Sequence, residues 1–118
     1  MIEGLGYVRL EVADLDRSIT FYRDGLRFGY EGCDEGRALL AHFGAGDLHI
    51  ILVESSAQRD RRGAGIWLSV EVSGVDAYYD ALVARGLTPS RPSDDAESRR
   101  FTIRDPDGYR WTFIQSLA

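Results

Sequence analysis

Lysine is missing from this chain altogether, and cysteine occurs once, at Cys33. All 14 basic residues are arginine, so Schiff-base lysine chemistry is excluded. A single cysteine cannot make an internal disulfide, which fits a reducing cytosol and a cytoplasmic location. No histidine adjoins Cys33 in sequence, so it reads as a plain thiol rather than a nucleophile. Long apolar runs are lacking too, and with them any membrane span. The start, MIEGLGYVRLEV, has neither the basic opening nor the apolar block of a secretion signal. Positive charge is in deficit: net charge is −5 and the pI about 4.9. No basic patch with interleaved aromatics exists to neutralise phosphates, which argues against a nucleic-acid partner. The acidic balance is compatible with a cationic ligand.

What is present is ordinary for one globular domain of 118 residues, with 44% hydrophobic and 28% charged residues. Its organisation is a repeat. Tyr7–Val12 alternates Val8, Leu10 and Val12 against Arg9 and Glu11, the pattern of a half-buried strand. Residues 65–72 alternate Ile66, Leu68, Val70 and Val72 against Ser69 and Glu71, an offset of 58 between Leu10 and Leu68. An amphipathic helix follows each strand. The first starts at Asp14, a good N-cap, carries Leu15, Ile19, Tyr22 and Leu26 on one face, and stops at Gly25. The second starts near Ser73, carries Val75, Tyr79, Leu82 and Val83, and ends at Gly86. Tyr22, Tyr78 and Tyr79 read as aromatics that pack these helices.

Three strand-like stretches follow each helix: RFGYEG, RALLAHF and DLHIILVES in the first half, LTPSRP, SRRFTIR and YRWTFIQ in the second. Gly44-Ala45-Gly46 joins the last pair in one half and Asp105-Pro106-Asp107-Gly108 in the other. Asp47–Glu54 matches Gly108–Gln115 at an offset of 61. The chain therefore reads β-α-β-β-β twice, an α+β fold. Module one spans about 5–55, a polar linker about 56–64, and module two about 65–118. In the linker, the RDRR cluster reads as a solvated loop. Asp-x-Asp-Gly in DPDG resembles the opening of a calcium loop, but the following YRWTFIQSLA holds no acid to complete one. Asp first, Pro second and Gly last fit a type I turn instead.

Helices cover one face of each sheet, on the outer side. Side-chain parity leaves Tyr7, Arg9, Glu11, His49, Ile51 and Val53 on the other face of the first half. In the second half it leaves Gly65, Trp67, Ser69, Glu71, Arg110, Thr112 and Ile114. Two such faces would curve into a cupped, partly open mixed β-sheet barrel around a cavity.

YVRLEVADLDRSITFYRDGLRFGYEG, GIWLSVEVSGVDAYYDALVARG and IRDPDGYRWTF resemble, in this order, landmarks of the vicinal oxygen chelate superfamily, which includes glyoxalase I, extradiol dioxygenases and bleomycin resistance proteins. The resemblance implies paired βαβββ modules and a homodimer. It also implies a divalent metal held in the first and last strands of each module, at Tyr7, Ile51, Gly65 and Thr112. None of these is a histidine or carboxylate, so no metal and no other cofactor is expected. The expected function is binding of a small organic ligand, cationic or aromatic, such as an antibiotic or metabolite, with resistance by sequestration. Tyr7, Arg9, Glu11, His49, Ile51, Trp67, Ser69, Glu71, Arg110 and Thr112 would line the site. Two alternatives stay open. One is a lyase, isomerase or oxygenase with a divalent metal at a shifted site, built from His42 and His49 with Glu54 or Glu71. The other is a metal-free pathway enzyme using Glu11, Glu71 or His49 as acid or base. Arg9–Glu71 and Glu11–Arg110 ion pairs filling a groove are the plainer reading.

Overall fold

The structure is a computed structural model and describes residues 1–35, 39–56 and 62–117. The chain divides into two compact units, Met1–Arg62 and Gly63–Ala118. Each has one open four-stranded mixed sheet, and neither sheet closes on itself.

In the first unit β1 (Val8–Val12), β2 (Gly29–Glu35), β3 (Leu39–Ala45) and β4 (Leu48–Glu54) are ordered β1-β4-β3-β2. β1 pairs with β4 in parallel, and the other neighbours are antiparallel. A parallel neighbour needs a long crossover, which α1 (Leu15–Ile19) and the hairpin supply. Asp14 caps α1 as expected, its Oδ1 accepting from Arg17 N–H at 3.2 Å. The helix then widens into a π-helical stretch, Thr20–Gly25, and Leu26 N–H reaches Phe21 C=O at 2.8 Å. Gly25 is buried there, and the left-handed residue that ends the element is Arg27, at φ 62°. The core is Leu10, Val12, Ile19, Tyr22, Leu26, Phe28, Phe43, Ile50 and Leu52. The β3–β4 turn is tighter than GAG suggests. Gly44 and Ala45 remain in the ladder opposite His49 and Leu48, and Gly46, at φ 58°, turns the chain with Asp47.

The second unit repeats the plan: β5 (Trp67–Glu71), α2 (Val75–Ala84), β6 (Ser93–Asp94), β7 (Ser98–Arg104) and β8 (Arg110–Ser116), ordered β5-β8-β7-β6. LTPSRP makes no strand, and only Ser93 and Asp94 beyond it pair with β7. Pro89 and Pro92 have no N–H to give a ladder. The helix N-cap is Gly74, one residue past Ser73, and no side chain of its own caps it. Gln115 Oε1 does so from β8, accepting from Val75 N–H at 2.9 Å. Glu54 Oε1 has the same place in the first unit, accepting from Leu15 N–H at 3.2 Å. Each final strand thus clasps the start of its own helix.

These clasps fix the repeat. Val75 lies 60 residues after Leu15, and Gln115 lies 61 after Glu54. The strand ladders agree, with Leu10 opposite Leu52 and Val70 opposite Phe113. The first-strand offset is therefore 60 rather than 58, and Tyr7 corresponds to Trp67. Gly65 is not in β5; it sits in the preceding turn at φ 71°.

Asp105-Pro106-Asp107-Gly108 is a turn closed by Gly108 N–H to Asp105 C=O at 3.1 Å. The buried Asp105 carboxylate accepts from the N–H groups of Asp107 (2.9 Å) and Tyr109 (2.8 Å). That carboxylate is committed to backbone, so the turn is a register device.

Tyr78 packs against Phe113 and Phe101, with ring centroids 4.9 and 6.1 Å away. Burial pushes its phenol up to about 12. A phenol whose folded pKa is raised contributes stability that is complete below its unfolded pKa of about 10 and lost as pH climbs through the folded value. In an alkaline absorbance titration Tyr78 is expected to ionise late among the tyrosines, and Tyr78→Phe should remove that step. An unchanged titration curve in the variant would contradict this.

No helix among the described residues is long and apolar enough to cross a membrane.

Candidate functional site

The helix-free face of the first sheet carries Arg9 and Glu11 on β1, His49 and Ile51 on β4, and His42 on β3. Arg9, Ile51 and His42 stand in one row across the strands. Tyr7 is just ahead of β1 and is 54% exposed. Val53 shares the row of Glu11 and Leu40 but is buried. A bulge between Tyr30 and Gly32 brings Glu31 onto this face, where its carboxylate lies over Gly44. Glu31 Oε1 comes within 3.6 Å of His49 Nε2, and Asp34 Oδ2 within 3.3 Å of His42 Nε2. The two imidazoles are 5.8 Å apart, giving two neighbouring imidazole–carboxylate pairs.

The corresponding face of the second unit is graded along its strands. At one end Trp67 of β5 stands opposite Arg110 of β8, and Arg110 stands opposite Arg104 of β7. Trp67 is 72% exposed, and the Arg110 guanidinium carbon is 4.6 Å from its ring centroid. Ser69, Thr112 and Thr102 make the next row, followed by Glu71, Ile114 and Arg100. Around Glu71 opens a hollow of about 470 Å³ that Asp95, Glu97, Arg100, Ile114 and Ser116 also line. Asp95 is held below the usual carboxylate range by the backbone N–H groups of Glu97 and Ser98. It therefore stays ionised and pairs with Arg100 at 2.6 Å.

The expected residues thus form two sets, one in each unit. Arg9, Glu11, His49 and Ile51 share the first face; Trp67, Ser69, Glu71, Arg110 and Thr112 share the second. Glu31, Asp34, Arg100, Asp95 and Glu97 were not expected. Only Gly32, permissive of a bulge right after Glu31, hinted at the first of them. Of the RDRR cluster, residues 59–61 lie outside the described residues, and Arg62 donates to Ser55 C=O. Cys33 is exposed on β2.

The side chains do not suit a divalent metal. Of the four places the resemblance assigns, Ile51 has no donor atom and Gly65 is outside the strand. The repeat-related Trp67 has no metal-binding atom either, and Tyr7 and Thr112 leave only weak oxygen donors. Among the described residues, no three of His, Cys, Asp and Glu converge for a metal. Glu54, a suggested partner for the histidines, is instead engaged at the N-terminus of α1.

The sequence profile of the Glyoxalase/Bleomycin resistance protein/Dioxygenase superfamily matches residues 4–113. A glyoxylase/bleomycin resistance protein/dioxygenase domain from Frankia sp. EAN1pec superposes with TM-score 0.79 at 23% identity, covering 98% of this chain and 99% of that one. The fosfomycin resistance protein FosX from Listeria monocytogenes gives 0.80 at 19% identity, covering 98% and 94%. TnmS3, an antibiotic binding protein from Streptomyces sp. CB03234, gives 0.78 at 18%, covering 98% and 99%. At such identities the structural likeness speaks for the fold.

Proposed function

Because the chain belongs to the glyoxalase/bleomycin resistance protein/dioxygenase superfamily, we propose that it binds a small organic molecule, an antibiotic or related metabolite, on its helix-free sheet faces without a resident metal. It acts by sequestration, as a homodimer. The observation that carries this reading is the second unit's face. A mostly exposed indole, a row of hydroxyls and an acidic hollow lie in sequence along two strands. Such a face offers stacking surface at one end and directed polar groups beyond it, which suits a flat ligand bearing polar or basic substituents. An antibiotic-binding protein and a fosfomycin resistance protein of the same fold support the ligand class. The unsuitable metal donors favour binding without metal.

Equilibrium titration against a panel of flat polycyclic antibiotics, followed by tryptophan fluorescence, tests it. Saturable binding is expected, undiminished after dialysis against chelator and unaltered by loading with Zn, Ni, Mn or Fe. Stoichiometric metal uptake that is required for binding would sink the metal-free reading. Silence across the panel would sink sequestration.

A second reading is favoured by the imidazole–carboxylate pairs of the first unit. A carboxylate beside an imidazole orients it for proton transfer, so His49 with Glu31 is the acid–base candidate should a bound ligand be converted. Glu11 and Glu71 remain further candidates for that role.

A further inference from the structure

We propose that the Trp67–Arg110 stack is a receiving site for an anionic oxygen on a flat conjugated ring, such as a phenolate, an enolate or an aromatic carboxylate. This rests on the reading that the second unit's face binds a small organic molecule, and it names the chemistry of one end of that ligand. Parallel pairing of β5 and β8 sets the two residues directly opposite each other, so the stack is built by the sheet. The guanidinium lies 4.6 Å from the indole centroid. No hydrogen bond or ion pair involves it among the described residues. The three arginines of β7 are engaged by contrast: Arg99 on Asp76 and Asp94, Arg100 on Asp95, and Arg104 on Gly108 C=O.

Three physical consequences follow. The indole holds the cation without taking up its N–H groups, which remain to bind two oxygens at once. The contact also restricts the side chain before ligand arrives, which lowers the entropy lost on binding. Finally, the indole face that would attract a ligand cation already has the protein's own cation on it, and Arg104 adds a second positive charge beside Arg110. This end of the face therefore repels cations, while the Glu71 hollow lies four residues, about 13 Å, farther along β8. Between them Ser69 and Thr112 offer hydroxyls to ring substituents. The ligand class is a planar aromatic acid, extended enough for any basic substituent to point towards Glu71.

The test is calorimetric titration of the full chain with anthraquinone-2-carboxylate, the matching carboxamide and the matching trimethylammonium compound. Arg110→Gln, Arg110→Lys and Trp67→Leu are compared with the parent, and circular dichroism checks the fold. The carboxylate is expected to bind about ten- to hundredfold more tightly than the carboxamide. Arg110→Gln should abolish that preference, costing the carboxylate far more affinity than the carboxamide. Arg110→Lys, lacking the fork, should restore only part of it, and Trp67→Leu should weaken all three ligands. If the carboxamide or the ammonium compound binds at least as well as the carboxylate, or Arg110→Gln preserves the preference, the anion site is overturned and small-molecule binding stands. If no member of the series binds saturably while an antibiotic of the panel does, the anion site is overturned and small-molecule binding stands.

Discussion

Trp111→Ala is expected to destabilise the protein by about 3–5 kcal/mol, the range for emptying a large aromatic site in a core. Trp111 is fully buried and lies on β8, between Leu68 of β5 and Ile103 of β7. β8 is an interior strand, so its neighbours on both sides are fixed by ladder hydrogen bonds and cannot collapse into the void. Domains of this size are stable by only about 5–15 kcal/mol, so the variant should sit near the edge of folding at room temperature. Urea denaturation followed by far-ultraviolet circular dichroism measures the difference. Trp111→Phe, which keeps most of the volume, should lose clearly less. A loss below about 1.5 kcal/mol for alanine, as volume-conserving swaps give, would mean that the site repacks and that the second core is not anchored there.

Gly63→Ala should be nearly as damaging, although it adds only a methyl group. Gly63 has φ 75°, and a Cβ built on it would lie 2.5 Å from Gly108 C, 2.6 Å from Gly108 O and 2.8 Å from Tyr109 N. All three are backbone atoms, held by the Asp105 turn, and cannot rotate away. The left-handed conformation costs a non-glycine residue about 1–2 kcal/mol, and overpacking typically adds about 1–3. Gly65→Ala is the control. Its φ is similar, 71°, but nothing lies within 4 Å of its added Cβ, so it should show the backbone cost alone. Equal melting temperatures for the two variants would refute the close approach between Gly63 and the hairpin.

The fold was legible because its signals are local. Asp14 is a cap by chemistry, and Asp105 through Gly108 is a turn by chemistry. Alternation in Val8–Val12 and Trp67–Glu71 declares a strand with two unlike faces. The offset of 58 suggested by Leu10 and Leu68 differs from the structural 60 for a physical reason: an alternating strand matches another equally well at every even shift. Aligning Leu10 with Leu68 preserves the faces but moves the partner of Tyr7 from Trp67 to Gly65. The clasps by Glu54 and Gln115 resolve it, but they join residues 39 and 40 positions apart and leave no local mark. Gly25 misled in another way. Glycine near a helix end usually supplies the left-handed stop, whereas here it is buried and Arg27 takes that conformation. LTPSRP shares its position after the helix with RFGYEG but carries two prolines, which keep it out of the ladder. Parity groups Arg9 with Ile51 and Trp67 with Arg110, as the ladders do. It could not show that Arg110 stacks on Trp67, because a rotamer, unlike a face, has no period in sequence.

The strand order has a consequence for how the protein is made. Among the described residues β5 has one neighbour in its sheet, β8, which follows β5, β6 and β7 in the chain. The N-terminus of α2 waits for the same strand, since Gln115 caps it. The first unit meets all of its ladder partners once Glu54 has emerged. Synthesis therefore completes the ladders of the first unit before those of the second, which lacks its interior strand until β8 has emerged. A ribosome stalled after β7 leaves the β5 edge open to any strand that passes.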